Sequence, residues 1–165
     1  MSSKTLMVTK LSSLRYALVL LVGLLAASSA RASDGLYGLS FEALSGEANV
    51  ALADYKGKPF AMLVFEDECK WCLKQMRTFN TLVEQGKVKD VVAVGKGDKH
   101  SLKRWARRAS PTYPLAQINR ELLQALDGVK TTPITLLVDA NGQVSQVVRG
   151  YLPEQEMAER LAKIN

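Results

Sequence analysis

Cys69 and Cys72 stand two residues apart and are the only cysteines in this chain of 165 residues. An uninterrupted apolar run, residues 60–65, precedes them and predicts a buried β-strand. Apolar positions then recur at helical spacing from residue 72 to residue 83, which predicts an amphipathic helix. A C-x-x-C at the junction of a strand and a helix is typical of thiol–disulfide chemistry. This junction constrains the fold more than any other part of the sequence.

The predicted position of the two cysteines indicates different roles for their sulfurs. Cys69 is expected at the helix N-terminus, where unpaired N–H groups and the helix dipole favour the thiolate. Cys72 is expected one turn further into the helix, pointing towards the same site from a more buried position. We therefore predict that Cys69 attacks and that Cys72 resolves.

Three other interpretations of the cysteine pair are less well supported. A structural disulfide that closes so short a loop removes little entropy from the unfolded chain. Zinc takes about four ligands, and beyond the pair the chain has a single histidine, His100. Two inert core thiols do not suit a pair surrounded by three acids and a lysine. These charged residues are Glu66, Asp67, Glu68 and Lys70. The sequence favours a redox site that needs neither a metal nor another cofactor.

Residues 1–32 are predicted to be a secretory signal peptide. A positive region leads into a nearly uninterrupted apolar stretch at 16–27, and Ala30-Arg31-Ala32 supplies an A-x-A cleavage pattern. The apolar stretch is short for a transmembrane helix, which needs about 20 residues. We expect cleavage after Ala32, no stable membrane insertion afterwards, and a periplasmic protein; an uncleaved N-terminal membrane anchor is the alternative.

Setting residues 1–32 aside changes the net charge of the chain. The whole chain carries 22 basic and 16 acidic side chains, but four basic and no acidic ones lie in that segment, which leaves a net charge of +2 for residues 33–165. So small a charge gives no support for nucleic-acid binding. Residues 33–165 are long enough for one domain with its own core. One cysteine pair in a secreted chain indicates an oxidising compartment.

Strands and helices alternate along the predicted domain. In order, the sequence predicts an edge strand at 39–44, a strand at 60–65, a helix at 70–85, a strand at 91–94, a helix at 99–109, a strand at 113–118, a helix at 120–126, a hairpin at 134–138 and 144–149, and a helix that begins after Pro153. The helix at 99–109 is strongly basic. A solvated outer face is favoured over a nucleic-acid or membrane surface, since no aromatic stacking pattern accompanies it. An acidic partner docking there is a further alternative.

This order of elements resembles the TlpA-type periplasmic thioredoxin-like proteins, which include the ResA and CcmG/DsbE reductases of cytochrome c maturation. The matching motifs are Leu52-x-Asp54-Tyr55-x-Gly57-Lys58-Pro59, Cys69-Lys70-Trp71-Cys72, Thr132-Pro133 with the residues as far as Gly142, and Gly150. The match covers residues 39–165. It implies an α/β thioredoxin-like fold, with a central mixed sheet flanked by helices and an extra strand and helix between Cys72 and Pro133.

The resemblance also implies a client-binding surface and partners. Pro133, with a cis bond after Thr132, would place the Thr132 backbone beside the sulfurs of Cys69 and Cys72, where a client strand can pair with it. Trp71 is assigned to the same surface. The implied partners are client proteins that contain disulfides and, for a reductase, a membrane thiol donor of the DsbD/CcdA type.

Two departures from the family pattern bear on proton transfer. In these families the residues before the first cysteine usually include a tryptophan, whereas here Glu68 directly precedes Cys69. Leu63 occupies the core-strand position at which thioredoxin has a buried acid. Glu66 or Asp67 could carry the proton through water if either lines the site; a simply solvated acidic loop is the other interpretation.

The charges next to Cys69 have opposite effects on its thiolate. Lys70 favours the charged form, whereas Glu68 and the acids before it disfavour that form. Since the reduction potential follows from this balance, local charge alone does not set the direction of electron transfer. The overall match favours a reductase over an oxidase. A redox-inactive binding module on the same fold is the remaining hypothesis.

Overall fold

A five-stranded mixed sheet is the centre of the computed structural model, which describes residues 35–46 and 48–164. The signal peptide predicted at 1–32 lies outside these residues. None of the helices within the two described ranges has the length and apolar character needed to cross a membrane.

The strands and helices follow one another in the predicted order. The strands are β1 (Ser40–Phe41), β2 (Val50–Ala51), β3 (Phe60–Glu66), β4 (Asp90–Lys96), β5 (Leu115–Gln117), β6 (Ile134–Val138) and β7 (Val144–Arg149). The helices are α1 (Lys70–Glu84), α2 (Lys99–Ala106), α3 (Arg120–Ala125) and α4 (Glu154–Leu161). The main sheet has the order β5-β4-β3-β6-β7, while β1 and β2 form a separate antiparallel pair. β3 is parallel to β4 and antiparallel to β6.

β3 is apolar along almost its whole length because both faces of the central strand are covered. Ala61, Leu63 and Phe65 lie in a core with side chains of α1, α2 and α4. The alternate residues of β3 lie in a second core on the opposite face, with side chains from β1, β6 and α3. The period of two along the strand thus places one core on each side of the sheet.

The predicted α/β architecture is confirmed, and β5 and α3 supply a strand and a helix between α2 and β6. The edge strand predicted at 39–44 is shorter: β1 covers two residues, and Ala43 adds an isolated bridge to Ala116. The helix predicted at 99–109 is α-helical only to Ala106 and continues as a 3-10 turn over Arg107–Ala109. Pro111 disfavours the α conformation in the residue before it, and Ser110 accordingly ends the turn with a left-handed φ of 50°.

Candidate active site

The cysteine pair lies at the point where β3 passes into α1. Cys69 is the N-cap residue of α1, and its Sγ accepts a hydrogen bond from the Cys72 N–H at 3.1 Å. The two cysteines form a disulfide with an S–S distance of 2.04 Å. Cys72 is completely buried, whereas Cys69 is half-buried. The predicted difference in exposure between the two sulfurs is therefore present in the structure.

The backbone around Cys69 directs the Cys72 N–H towards its sulfur. Glu68, directly before it, has a left-handed φ of 56°, which a non-glycine residue adopts only rarely. In the reduced protein the Cys69 Sγ would be a thiol or thiolate, and the disulfide sulfur occupies its place here. An N-cap sulfur that accepts an N–H at the positive end of a helix dipole is well placed to carry negative charge. The geometry suits a nucleophile at Cys69.

An open groove of about 300 Å³ is formed by Trp71, Thr132, Pro133, Gly150 and Tyr151. The bond between Thr132 and Pro133 is cis, which confirms the prediction for that bond. The Pro133 carbonyl accepts the Gly150 N–H at 2.8 Å, which joins the two loops that flank the groove. The structure thus brings together all three residues that the sequence assigned to client binding.

Aromatic side chains make one wall of the groove flat and apolar. Trp71 is 59% exposed and stacks on Tyr151 with ring centroids 5.7 Å apart. The Lys74 Nζ lies 4.5 Å from the Tyr151 ring centroid and 5.4 Å from that of Trp71. An exposed aromatic pair with a cation beside it can receive an extended peptide through stacking and apolar contact.

Of the acids predicted near the cysteines, Glu66 is the one held at the loop that contains Thr132 and Pro133. Its carboxylate forms an ion pair with Lys96 at 3.0 Å and accepts a hydrogen bond from the Thr132 hydroxyl at 3.5 Å. The Glu66 side chain is 34% exposed, so water reaches it. Glu68 and Lys70 are exposed, which agrees with a solvated loop at those two positions.

The core beneath the cysteines is apolar at the position where thioredoxin has a buried acid. Leu63 is fully buried in the same core as Cys72. Its cross-strand partner, Thr135, is also fully buried and polar. Because Leu63 has no carboxylate, it cannot carry a proton as the buried acid of thioredoxin does. Proton transfer therefore has to use a group elsewhere in the site.

Trp105 is a contact of the active-site loop that the sequence did not reveal. Its indole Nε1–H donates to the Cys69 carbonyl oxygen at 3.4 Å. The Arg108 guanidinium lies 4.6 Å from the Trp105 ring centroid. In the sequence Trp105 is one apolar position on a basic helix, and nothing in that spacing indicates contact with a residue 36 positions earlier.

Gln75 and Tyr151 are the other site residues that sequence reasoning missed. Gln75 is fully buried on α1, and its Oε1 accepts the Leu152 N–H at 2.9 Å. This bond holds the backbone of the segment after β7, to which Tyr151 belongs. Two weak signals were available: a glutamine one turn after Cys72 on the apolar face, and an aromatic residue directly after the motif residue Gly150.

Within 35–46 and 48–164, no group of three or more His, Cys, Asp and Glu side chains is arranged to hold a metal ion. A larger cavity of about 710 Å³ is lined by residues 57–59 and 86–90. It lies where β3 and β4 begin, at the opposite end of these strands from the cysteines.

Comparison with known proteins agrees with this arrangement. A profile of the AhpC/TSA family matches residues 38–147. The thiol-disulfide oxidoreductase ResA of Geobacillus thermodenitrificans is 28% identical over 116 residues, which cover 68% of this chain and 67% of ResA.

Two solved structures have the same fold. A secreted disulfide oxidoreductase of Mycobacterium tuberculosis, homologous to E. coli DsbE, aligns with a TM-score of 0.68 at 16% identity, covering 79% of this chain and 99% of that one. A thiol:disulfide interchange protein of Chlorobium tepidum aligns with a TM-score of 0.67 at 19% identity, covering 76% and 92%. The predicted resemblance to ResA-like and DsbE-like proteins is confirmed. Since the family profile spans more than half of the chain, this protein belongs to the AhpC/TSA family of thioredoxin-fold proteins.

Proposed function

We propose that the protein is a periplasmic thiol–disulfide oxidoreductase that reduces disulfides in client proteins. The observation that carries the proposal is the placement of the cysteine pair, with a half-buried Cys69 Sγ at the N-terminus of α1 and a fully buried Cys72 behind it. Relatives named thiol-disulfide oxidoreductase support this activity.

The reaction proceeds by two thiolate attacks. The Cys69 thiolate attacks one sulfur of the client disulfide, which forms a mixed disulfide and releases the second client sulfur as a thiolate. Cys72, after losing its proton, then attacks the Cys69 Sγ. This step releases the client's first sulfur and forms the Cys69–Cys72 disulfide. The client gains two electrons and two protons, and an external thiol donor restores the dithiol.

The groove positions the client for this attack. In our proposal, an extended client segment pairs with the Thr132 backbone by strand addition. The stacked rings of Trp71 and Tyr151 then contact its side chains. A client held on both sides of its cysteine presents the disulfide to the Cys69 Sγ at a fixed angle, which in-line sulfur attack requires.

Glu66 is our candidate for proton transfer through water. Its carboxylate is held between Lys96 and Thr132 at the client-binding loop, and it remains in contact with solvent. The ion pair with Lys96 holds the carboxylate in this position. Glu66→Gln should therefore slow the resolving step more than it slows the first attack.

The reductase direction requires a membrane thiol donor of the DsbD/CcdA type, because an oxidising compartment would otherwise keep the pair as a disulfide. The deciding measurement is the redox state of Cys69 and Cys72 in living cells, obtained by acid quench and thiol labelling. We expect a substantial dithiol fraction that is lost when the donor is deleted.

A pair that is fully oxidised with or without the donor would refute the reductase assignment. Titration against glutathione would then distinguish the remaining alternatives. The disulfide of an oxidase is reduced at potentials that the glutathione couple reaches. The disulfide of a redox-inactive module resists reduction at those potentials.

A further inference from the structure

A band of basic side chains borders the cysteine pair, and we infer that it docks an acidic surface of the protein partner whose disulfide Cys69 attacks. The inference rests on the proposed function and adds a partner chemistry to it. The basic band consists of Lys70, Lys74, Arg77, Lys103, Arg104, Arg107 and Arg108.

The α1 part of the basic band begins at the groove. Lys70, Lys74 and Arg77 are four and three residues apart, so they lie on one face of the helix, and all three are exposed. No acidic residue occurs between positions 69 and 83. Because the Lys74 ammonium lies over the Tyr151 ring, this part of the band reaches the aromatic wall of the groove.

The α2 part of the basic band joins the first part and reaches the cysteine loop. Arg77 donates from Nη2 to the Arg108 carbonyl oxygen at 3.0 Å, which connects the two helices. The Arg108 guanidinium lies against Trp105, whose indole donates to the Cys69 carbonyl. Positive charge therefore borders Cys69 from the groove side and from the Trp105 side.

The charge of the basic band is not neutralised within the described part of the chain. The three salt bridges found there join Lys96 to Glu66, Lys99 to Glu42 and Lys130 to Asp127, so none includes a residue of the band. Residues 33–165 carry 18 basic side chains; the band holds seven, which leaves 11 basic against 16 acidic ones elsewhere. Glu66, Asp67 and Glu68 precede Cys69, whereas the positive charge of this nearly neutral domain is concentrated on α1 and at α2, the two helices that flank the cysteine loop.

An acidic protein surface fits this location better than an anionic membrane does. A flat bilayer resting on the basic band would cover the adjoining groove, where the client must enter. A protein partner that brings both a disulfide and acidic side chains uses the groove and the band together. Complementary charge of this kind mainly raises the rate of productive encounter.

The test compares two disulfide-containing peptides that differ only in their flanking residues, which are glutamates in one and glutamines in the other. Protein reduced beforehand is mixed with each peptide, and the second-order rate constant for the first attack is measured. We expect the acidic peptide to react about tenfold faster at low salt. The preference should fall to about twofold or less in 0.5 M NaCl, because salt screens exposed charges.

Two matched triple variants test whether the preference for the acidic peptide depends on the basic band. Arg77→Gln, Arg104→Gln and Arg107→Gln together remove three charges from the basic band. The control removes three exposed charges, Lys56→Gln, Lys87→Gln and Lys89→Gln, from segments that precede β3 and β4. The first variant should lose most of the preference for the acidic peptide, and the control should keep it.

Several results would overturn the inference. Equal rates for the two peptides with the wild-type protein would do so even if a variant failed to fold. An equal loss of preference in both triple variants would show an effect of net charge alone. Co-sedimentation with phosphatidylglycerol vesicles, without any peptide preference, would assign the band to a membrane. Failure to reduce either peptide would instead count against the proposed function.

Discussion

The different reactivity of the two sulfurs is the most direct test of the active-site geometry. We predict that Cys69 in the Cys72→Ser variant reacts with iodoacetamide at least about 50-fold faster at pH 7 than Cys72 does in the Cys69→Ser variant. Each variant has a single thiol, so intact-mass spectrometry follows alkylation without ambiguity.

The expected ratio has an electrostatic and a steric part. A hydrogen bond from the Cys72 N–H to a charged sulfur, together with the helix dipole, favours the Cys69 thiolate by about 2 kcal/mol. That is a factor of about 30 in the ratio of thiolate to thiol, but nucleophilicity falls as the thiolate is stabilised, which leaves about fivefold in rate. Cys72 is 0% exposed, so it reacts only after a local opening. An opening that costs about 1.4 kcal/mol adds a further factor of ten.

The control is alkylation of both variants in concentrated guanidinium chloride, where the two rates should become equal because the fold no longer distinguishes the sulfurs. Equal rates in the folded proteins would refute the assignment of Cys69 as nucleophile. The same conclusion would follow if clients were trapped as mixed disulfides through Cys72 and not through Cys69.

Three further predictions address processing, core contacts and alkaline stability. Intact mass of exported protein should show a chain that begins at Ser33; a membrane-bound chain that retains residues 16–27 would replace cleavage with an anchor. Gly95→Ala should lower the free energy of unfolding in urea by about 1–3 kcal/mol, because the new Cβ would lie 2.8 Å from Leu102 and 2.9 Å from Phe65; an unchanged value would contradict this. Burial raises the pKa of Tyr113, so the stability associated with its neutral form is present below about pH 10 and is lost as the pH rises further. Tyr113→Phe should therefore lose less stability than the wild type above about pH 10, as measured by the free energy of unfolding in urea. An equally steep loss in the variant would refute this prediction.

The sequence determined the parts of the protein that depend on local chemistry. The apolar run of β3 and the helical spacing after Cys72 needed no distant contact to be recognised, because backbone geometry sets their periods. The Asp139–Gly142 turn likewise predicted the β6–β7 hairpin from adjacent residues. These local signals and the family motifs together were enough to identify the fold, the cysteine pair and the loop with the cis bond before Pro133.

The tertiary structure decided which distant residues complete the site. Glu66 and Lys96 meet because β3 and β4 are parallel and in register, so their carboxyl ends lie side by side. No spacing in the sequence indicates that Tyr151 stacks on Trp71, or that Trp105 reaches the Cys69 carbonyl. Each of these contacts joins segments between 30 and 80 residues apart. Their proximity follows from strand order and helix placement, which are properties of the whole sheet and not of any one segment.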